Sequence, residues 1–210
     1  GFLQKDFIIL KAENFMMSSN FQWYIKKQWG LSEEDTLKLQ NFYEKRSLEK
    51  GEVLLQIEEF SNEYYFVESG LLKSYSYSSN GKEHILQFAP ENWLIGDRGS
   101  IHLKERSSFY VEAIEDSLVC IFNESFFDEL SKLCANFRER NEALLHKHVR
   151  HLNHRINLLL GASAEERYVD FLKLYPNLSK RVPLRLIASY LGITPESLSR
   201  VRKKIAHKEL

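Results

Sequence analysis

Between Glu52 and Phe122 the helical period gives way to seven short strand-like runs, and this limits the fold more than any other feature. The runs cover residues 53–57, 64–67, 71–77, 84–88, 93–95, 109–114 and 118–122. A period of two means strands that turn one face inward. Turn formers separate them: Ser69-Gly70, Ser79-Asn80-Gly81, Pro90-Glu91-Asn92 and Glu115-Asp116. Asn80-Gly81 is expected to close a hairpin, because both residues can take positive φ. Many short strands at regular spacing predict an antiparallel sandwich or barrel-like roll.

On either side of this region the period is helical. Residues 18–29 are aromatic and basic. Ser32 is placed to cap a helix whose first turn carries Glu33, Glu34 and Asp35, where acids meet the positive end of the dipole. Leu37, Leu39, Phe42 and Tyr43 give that helix an apolar face, and it is expected to end before Lys50-Gly51. Phe126, Phe127 and Leu130 fit a short helix after Glu124. A long helix is expected over 136–160, where Leu145, Val149, Leu152, Ile156 and Leu159 are spaced four, three, four and three apart. That is the seam of a coiled coil. A stripe of this kind packs on its own domain or on a partner helix. Its narrowness and its polar flanks (His146, His148, Arg150, Asn153, Arg155) favour a partner. Gly161-Ala162-Ser163 breaks the helix, Ser163 caps the next over 164–174 with Glu166 in its first turn, and Pro176-Asn177 ends it.

Residues 186–200 read as a helix, a tight turn and a second helix. Ala188 allows close approach, Gly192 suits a left-handed turn position, and Leu198 and Val201 dock the second helix. Thr194 is a good N-cap, and Pro195 suits the first helical position. An ordinary helical hairpin has the same spacing; the charges favour a helix that enters the major groove of DNA. Net charge is zero over 210 residues, yet residues 176–210 hold eight basic and two acidic side chains. A mildly acidic body with a basic tip is the footprint of a DNA-reading module. Glu196, Ser197 and Arg200 are the candidates for base edges, with Ser199 beside them. Arg202, Lys203 and Lys204 are the candidates for phosphates.

Two cysteines, Cys120 and Cys134, lack metal spacing and cannot alone supply the four thiolates of an iron–sulfur cluster. Buried free thiols in a reducing cytosol are expected. No apolar run is long enough to span a bilayer, 7–10 being too short, and no signal peptide is evident. Met16 or Met17 is expected to be the natural initiator, with 1–15 as leader or added sequence. Enzymatic chemistry is not expected. A metal-dependent roll needs two or three clustered histidines and a carboxylate, and this roll has only His84 and His102. Nucleophile-elbow, P-loop and zinc-helix motifs are also missing.

The order of helix, roll, long helix and three-helix reader resembles the cyclic-AMP receptor protein/FNR (Crp/Fnr) family of bacterial transcription regulators over about residues 31–206. Residues 65–70 (Tyr-Phe-Val-Glu-Ser-Gly) and 81–86 (Gly-Lys-Glu-His-Ile-Leu) stand where the family has its hairpins. Residues 92–97 (Asn-Trp-Leu-Ile-Gly-Asp) resemble the start of its phosphate-binding cassette, and Arg106-Ser107 its Arg-Ser pair. Residues 164–168 (Ala-Glu-Glu-Arg-Tyr) lead into the DNA domain as they do in the family.

The resemblance implies an α+β fold. An antiparallel β-roll of the cyclic-nucleotide-binding type, a double-stranded β-helix, would occupy 18–135. A dimerisation helix follows over 136–160, then a helix-turn-helix domain over 163–210. It implies a cytoplasmic homodimer that binds double-stranded DNA, with RNA polymerase and a small-molecule effector as further partners. The implied pocket is Gly96, Asp97, Arg98, Arg106 and Ser107, with Asn153 of the long helix. In such a cassette a short helix offers N–H groups to a phosphate, an arginine grips it in a fork, and a carboxylate accepts from the ribose.

This chain departs from the pattern. Asp97 is shorter than the family's Glu, and Arg98 replaces an aliphatic residue. The stretch 96–106 is one residue short. Leu152 and Asn153 stand where the cyclic-AMP responders have Thr and Ser. The pocket shape is expected to persist without cyclic AMP as its ligand, and Arg98 would fill the phosphate position or recruit another anion. Haem, sensed elsewhere in the family, would need ligands from His84, His102, His146, His148, His151 or His154. Surface-helix histidines are commonly just solvated, and no cofactor is expected. The β-hairpin wing that follows the family's reading helix is expected to be absent or truncated. Pro195 replaces an arginine that reads guanine in the cyclic-AMP receptor protein, so the DNA preference must differ. The competing expectation is a cyclic-nucleotide-binding-like regulatory or protein-interaction module without specific DNA binding.

Overall fold

The computed structural model describes residues 20–208, with the Lys208 side chain outside that description. The initiator expected at Met16 or Met17, the stretch 7–10 and Glu209 also lie outside the described residues. Two compact units divide between Leu144 and Leu145.

The first unit opens with α1 (Asn20–Trp29) and α2 (Glu33–Lys38). Ser32 caps α2 by accepting from the Asp35 N–H. The helix expected to run towards Lys50 stops at Lys38. A 3-10 turn (Leu39–Phe42) follows, and then a strand, β1 (Tyr43–Leu48). The remaining strands are β2 (Val53–Leu55), β3 (Tyr64–Ser69), β4 (Leu72–Tyr77), β5 (Glu83–Ala89), β6 (Leu94–Ile95), β7 (Tyr110–Ala113) and β8 (Ser117–Phe122). They form two antiparallel four-stranded sheets, ordered β1-β8-β3-β6 and β2-β7-β4-β5. The hairpin at Asn80-Gly81 joins β4 to β5, but only Gly81 takes positive φ. The Asn80 side chain instead accepts from Ser78 Oγ at 2.6 Å and from the Lys82 N–H at 3.3 Å.

Alternation along the strands builds two cores. Tyr65, Val67, Val119 and Ile121 meet Leu72, Ala89, Val111 and Ala113 between the sheets. The alternate residues Tyr64, Phe66, Cys120 and Phe122 face the other way, against Phe21, Ile25 and Trp29 of α1 and Phe126 and Leu130 of α3 (Glu124–Leu133). Both faces of β3 and β8 are therefore buried, which explains why these strands are apolar almost without interruption. Gly70 turns the chain between β3 and β4 at φ +93°, and a Cβ there would lie 2.2 Å from Ser117 Oγ. That hydroxyl is itself occupied, accepting from the Leu71 N–H and donating to Glu115 O.

The 25-residue helix α4 (Phe137–Gly161) contributes residues to both units. The second unit continues with α5 (Ala164–Leu174), α6 (Leu178–Arg181), α7 (Leu184–Leu191) and α8 (Pro195–Lys208). Ser163 and Glu166 form a reciprocal capping box at the start of α5. Both hydrogen bonds from Ser163, side chain and backbone, hold the Glu166 carboxyl below the usual carboxylate range. The core here is aromatic: Phe171 and Tyr175 lie against Tyr190, and Tyr168 stacks on Phe171. Among the described residues no strand follows α8.

Candidate nucleic-acid interface and ligand pocket

The turn between α7 and α8 is built from local signals. Gly192 adopts φ +67°, and its N–H and that of Ile193 return to Ser189 O and Ala188 O, the double bond of a Schellman turn. Thr194 Oγ1 accepts from the Ser197 N–H at 3.2 Å and starts α8. Leu198 is fully buried, and Val201 and Ile205 are half-buried on the same side. At 3.6 residues per turn, the opposite side then carries Glu196, Ser199, Arg200 and Lys203. Of these, Glu196, Arg200 and Lys203 are exposed and Ser199 is half-buried. Hydrogen bonds from its own backbone N–H and from Thr194, with Arg200 nearby, keep the Glu196 carboxyl low and so ionised at neutral pH.

The other candidates differ in their freedom. The Ser197 hydroxyl is held by Arg200 Nη2 at 3.3 Å and by Thr194 Oγ1 at 3.2 Å. Lys204 reaches back to Glu165 of α5 at 2.5 Å. Arg202 and Lys203 are exposed, and among the described residues neither has an ion pair. The Lys204–Glu165 pair joins residues far apart in the chain, so reading α8 as one basic face overlooks it.

The other candidate site lies in the first unit, where the expected short helix is a single π-helical turn, Gly99–Leu103. Asp97 is buried, and its Oδ1 accepts from the N–H groups of Gly99 at 2.9 Å and Ser100 at 3.2 Å. The resemblance gives Asp97 a ribose to bind and these amides a phosphate; here each satisfies the other. Ser100 Oγ accepts from the Ser61 N–H. Arg106 donates to Glu58 O at 2.7 Å and stacks over the Phe60 ring. Ser107 is buried and bonds within its own turn to Phe109 O, while its backbone pairs with Glu58 and Glu59. Gly96 packs against Glu63 O, which a Cβ would approach to 3.0 Å. Arg98 is exposed, and Asn153 is an exposed residue of α4 in the second unit.

Among the described residues no cluster of three or more His, Cys, Asp or Glu could hold a metal ion. His102 lies 2.7 Å from Tyr64 Oη, and burial pushes its imidazole below the usual histidine range. Both cysteines are buried free thiols, Cys120 donating to Glu68 and Cys134 to Trp29 O. Burial beside the Glu68 carboxylate pushes the Cys120 thiol far up, which disfavours the thiolate needed for metal binding. No described helix is long and apolar enough to cross a membrane.

The described residues form a roll with a cassette turn, a long helix and a helix-turn-helix, and the comparisons with known proteins give the same order. Residues 45–133 match the model of the cyclic nucleotide-binding domain. The chain is 30% identical over 186 residues to the fumarate and nitrate reduction regulatory protein of Yersinia pestis, covering 81% of this chain and 72% of that one. It is 29% identical to the anaerobic regulatory protein of Pasteurella multocida, again over 81% of this chain but 66% of the relative, so it spans just under two thirds of that protein. FixK2 of Bradyrhizobium japonicum shares the fold, with a TM-score of 0.68 at 23% identity over 80% of this chain and 86% of that one. This chain belongs to the Crp/Fnr family of transcription regulators, a family of regulators rather than enzymes.

Proposed function

We propose that this chain acts in the cytoplasm as a homodimeric, DNA-binding transcription regulator. Two α4 seams pair, and each subunit sets α8 in the major groove. The observation that carries the reading is the division of α8. Leu198 anchors one side, while Glu196, Ser199, Arg200 and Lys203 form the other, with Arg200 and Lys203 exposed. Arg200 is suited to guanine and Glu196 to cytosine, while Arg202 and Lys203 are suited to phosphates. The Ser197 hydroxyl serves chiefly to orient Arg200, whose guanidinium donates to it. RNA polymerase is the further partner of such a regulator.

The roll does not respond to a cyclic nucleotide. The Asp97 carboxylate already occupies the amides that would hold the phosphate, and Arg106 is committed to Glu58 and Phe60. Displacing the buried Asp97 carboxylate would leave a buried polar group to be satisfied again, at about 1–3 kcal/mol.

Fluorescence anisotropy with duplex DNA over a salt series, with and without cyclic AMP and cyclic GMP, tests both parts. The expected result is an affinity that falls steeply and log-linearly with salt and is the same with either nucleotide. Absence of duplex binding leaves the protein-interaction module in its place. A nucleotide effect at micromolar concentration contradicts the closed cassette.

A further inference from the structure

The connector between α4 and the reading head is two residues long, Ala162 and Ser163, and a short free linker would let the head swivel. Three contacts cross it, and Arg167 ties the connector itself to α7. The Arg155 guanidinium of α4 lies over the Tyr190 ring of α7, 3.7 Å from its centroid, and its Nη2 donates to Tyr190 O at 3.2 Å. Arg167 of α5 donates through Nε to Ala162 O in the connector and through Nη1 to Leu191 O, both at 3.0 Å. His154 of α4 lies 3.0 Å from Asp170 Oδ1 of α5. Leu159, the last seam residue, borders Gly192 in the turn: a Cβ on Gly192 would sit 3.3 Å from its Cδ2.

The chemistry of these contacts is directional. Tyr190 O and Leu191 O belong to the last turn of α7, whose carbonyls lack partners within the helix and carry partial negative charge. Two guanidiniums therefore meet the negative end of the helix that leads into α8. A planar guanidinium on a ring face, with a hydrogen bond to the same residue, fixes an angle as well as a distance. The seam residue Leu159 lies beside the turn that sets the direction of α8.

We propose that Arg155 and Arg167 are positioning residues for DNA reading. Arg155 locks α7, and with it α8, onto α4, and Arg167 fixes the same end of α7 to the connector, so the pairing of two α4 helices sets the separation of the two reading helices. Neither residue touches DNA in this role. The inference rests on the reading given under Proposed function. Its signature is a strict dependence on the spacing between half-sites.

The test starts from duplexes that the full chain selects from a random pool. Affinity is then measured for the selected site and for versions with one or two base pairs added at the centre, each pair rotating the half-sites by roughly a tenth of a turn. The original protein is expected to bind the lengthened sites roughly tenfold or more weakly, on the scale of a mismatched pair. Arg155→Ala and Arg167→Ala are expected to bind all spacings within about threefold of one another, with the salt slope unchanged because no phosphate contact is lost. Arg155→Lys keeps the charge and the stem but not the planar fork, so it retains the fold and shows the same loss of spacing preference. Variants that keep the original spacing preference overturn the proposal while leaving the DNA-binding reading intact. A wild-type chain that selects no duplex overturns both.

Discussion

Placing glutamate at Leu152 and Ile156 together is expected to give a folded monomer that has lost roughly 10²–10⁴-fold in affinity for its selected duplex. Val149, Leu152, Ile156 and Leu159 are 52, 44, 52 and 37% exposed, and α4 has no buried residue of its own. An apolar row of this spacing, left in water, is stabilised by pairing with a second copy. Two negative charges on each facing helix make that pairing unfavourable. The size of the loss follows from linkage: once one reading helix is bound, the second meets its half-site at the effective concentration set by the dimer. Sedimentation and anisotropy on the same samples check both halves. The substitutions lie on an exposed face, so the melting temperature of the roll should stay near that of the unmodified chain. A double variant that remains dimeric would contradict the seam.

Arg200→Ala is expected to cost about 1–3 kcal/mol for each reading helix and to relax the sequence preference at one position of each half-site. The guanidinium is exposed on α8, one turn beyond Glu196 and supported by Ser197 Oγ, so its removal leaves the helix packing through Leu198 unchanged. Lys203→Ala should behave differently. It should weaken binding to all sequences alike and reduce the salt slope by about one for each helix, as loss of a phosphate contact does. Lys204→Ala should change the slope less, because that ammonium already pairs with Glu165. Parallel titrations on selected and random duplexes separate these outcomes. Equal loss on both by Arg200→Ala would remove it from base reading.

The parts of the fold that could be read from the chain are those where one local rule dominates. β3 and β8 are apolar on both faces because one core lies between the sheets and another under the helices. Ser163, Gly192 and Thr194 announce their caps and turn because each residue satisfies a backbone group within a few positions. β1 was hidden for the opposite reason. Its sequence Tyr-Glu-Lys-Arg-Ser-Leu is mostly exposed, it is an edge strand paired only with β8, and backbone bonds rather than an apolar alternation hold it. The preceding Leu37, Leu39 and Phe42 extended a helical pattern into it. α1 did carry a signal: Phe21, Ile25 and Trp29 recur every fourth residue and all three are buried. In the cassette, the sequence shows an aspartate where the family has a glutamate, but not that its carboxylate turns back onto Gly99 and Ser100. That depends on the backbone path through 98–100, which no local pattern encodes. The ties from Arg155 to Tyr190 and from Lys204 to Glu165 join residues 35 and 39 positions apart, beyond the reach of any periodicity.

Hydroxyl-radical footprinting of the full chain on its selected duplex tests the central claim most directly. Two α8 helices held by one paired scaffold should protect two patches on the same face of the DNA, with centres about one helical turn, ~34 Å, apart. A single protected patch, or uniform cleavage at protein concentrations where anisotropy reports full binding, would contradict it.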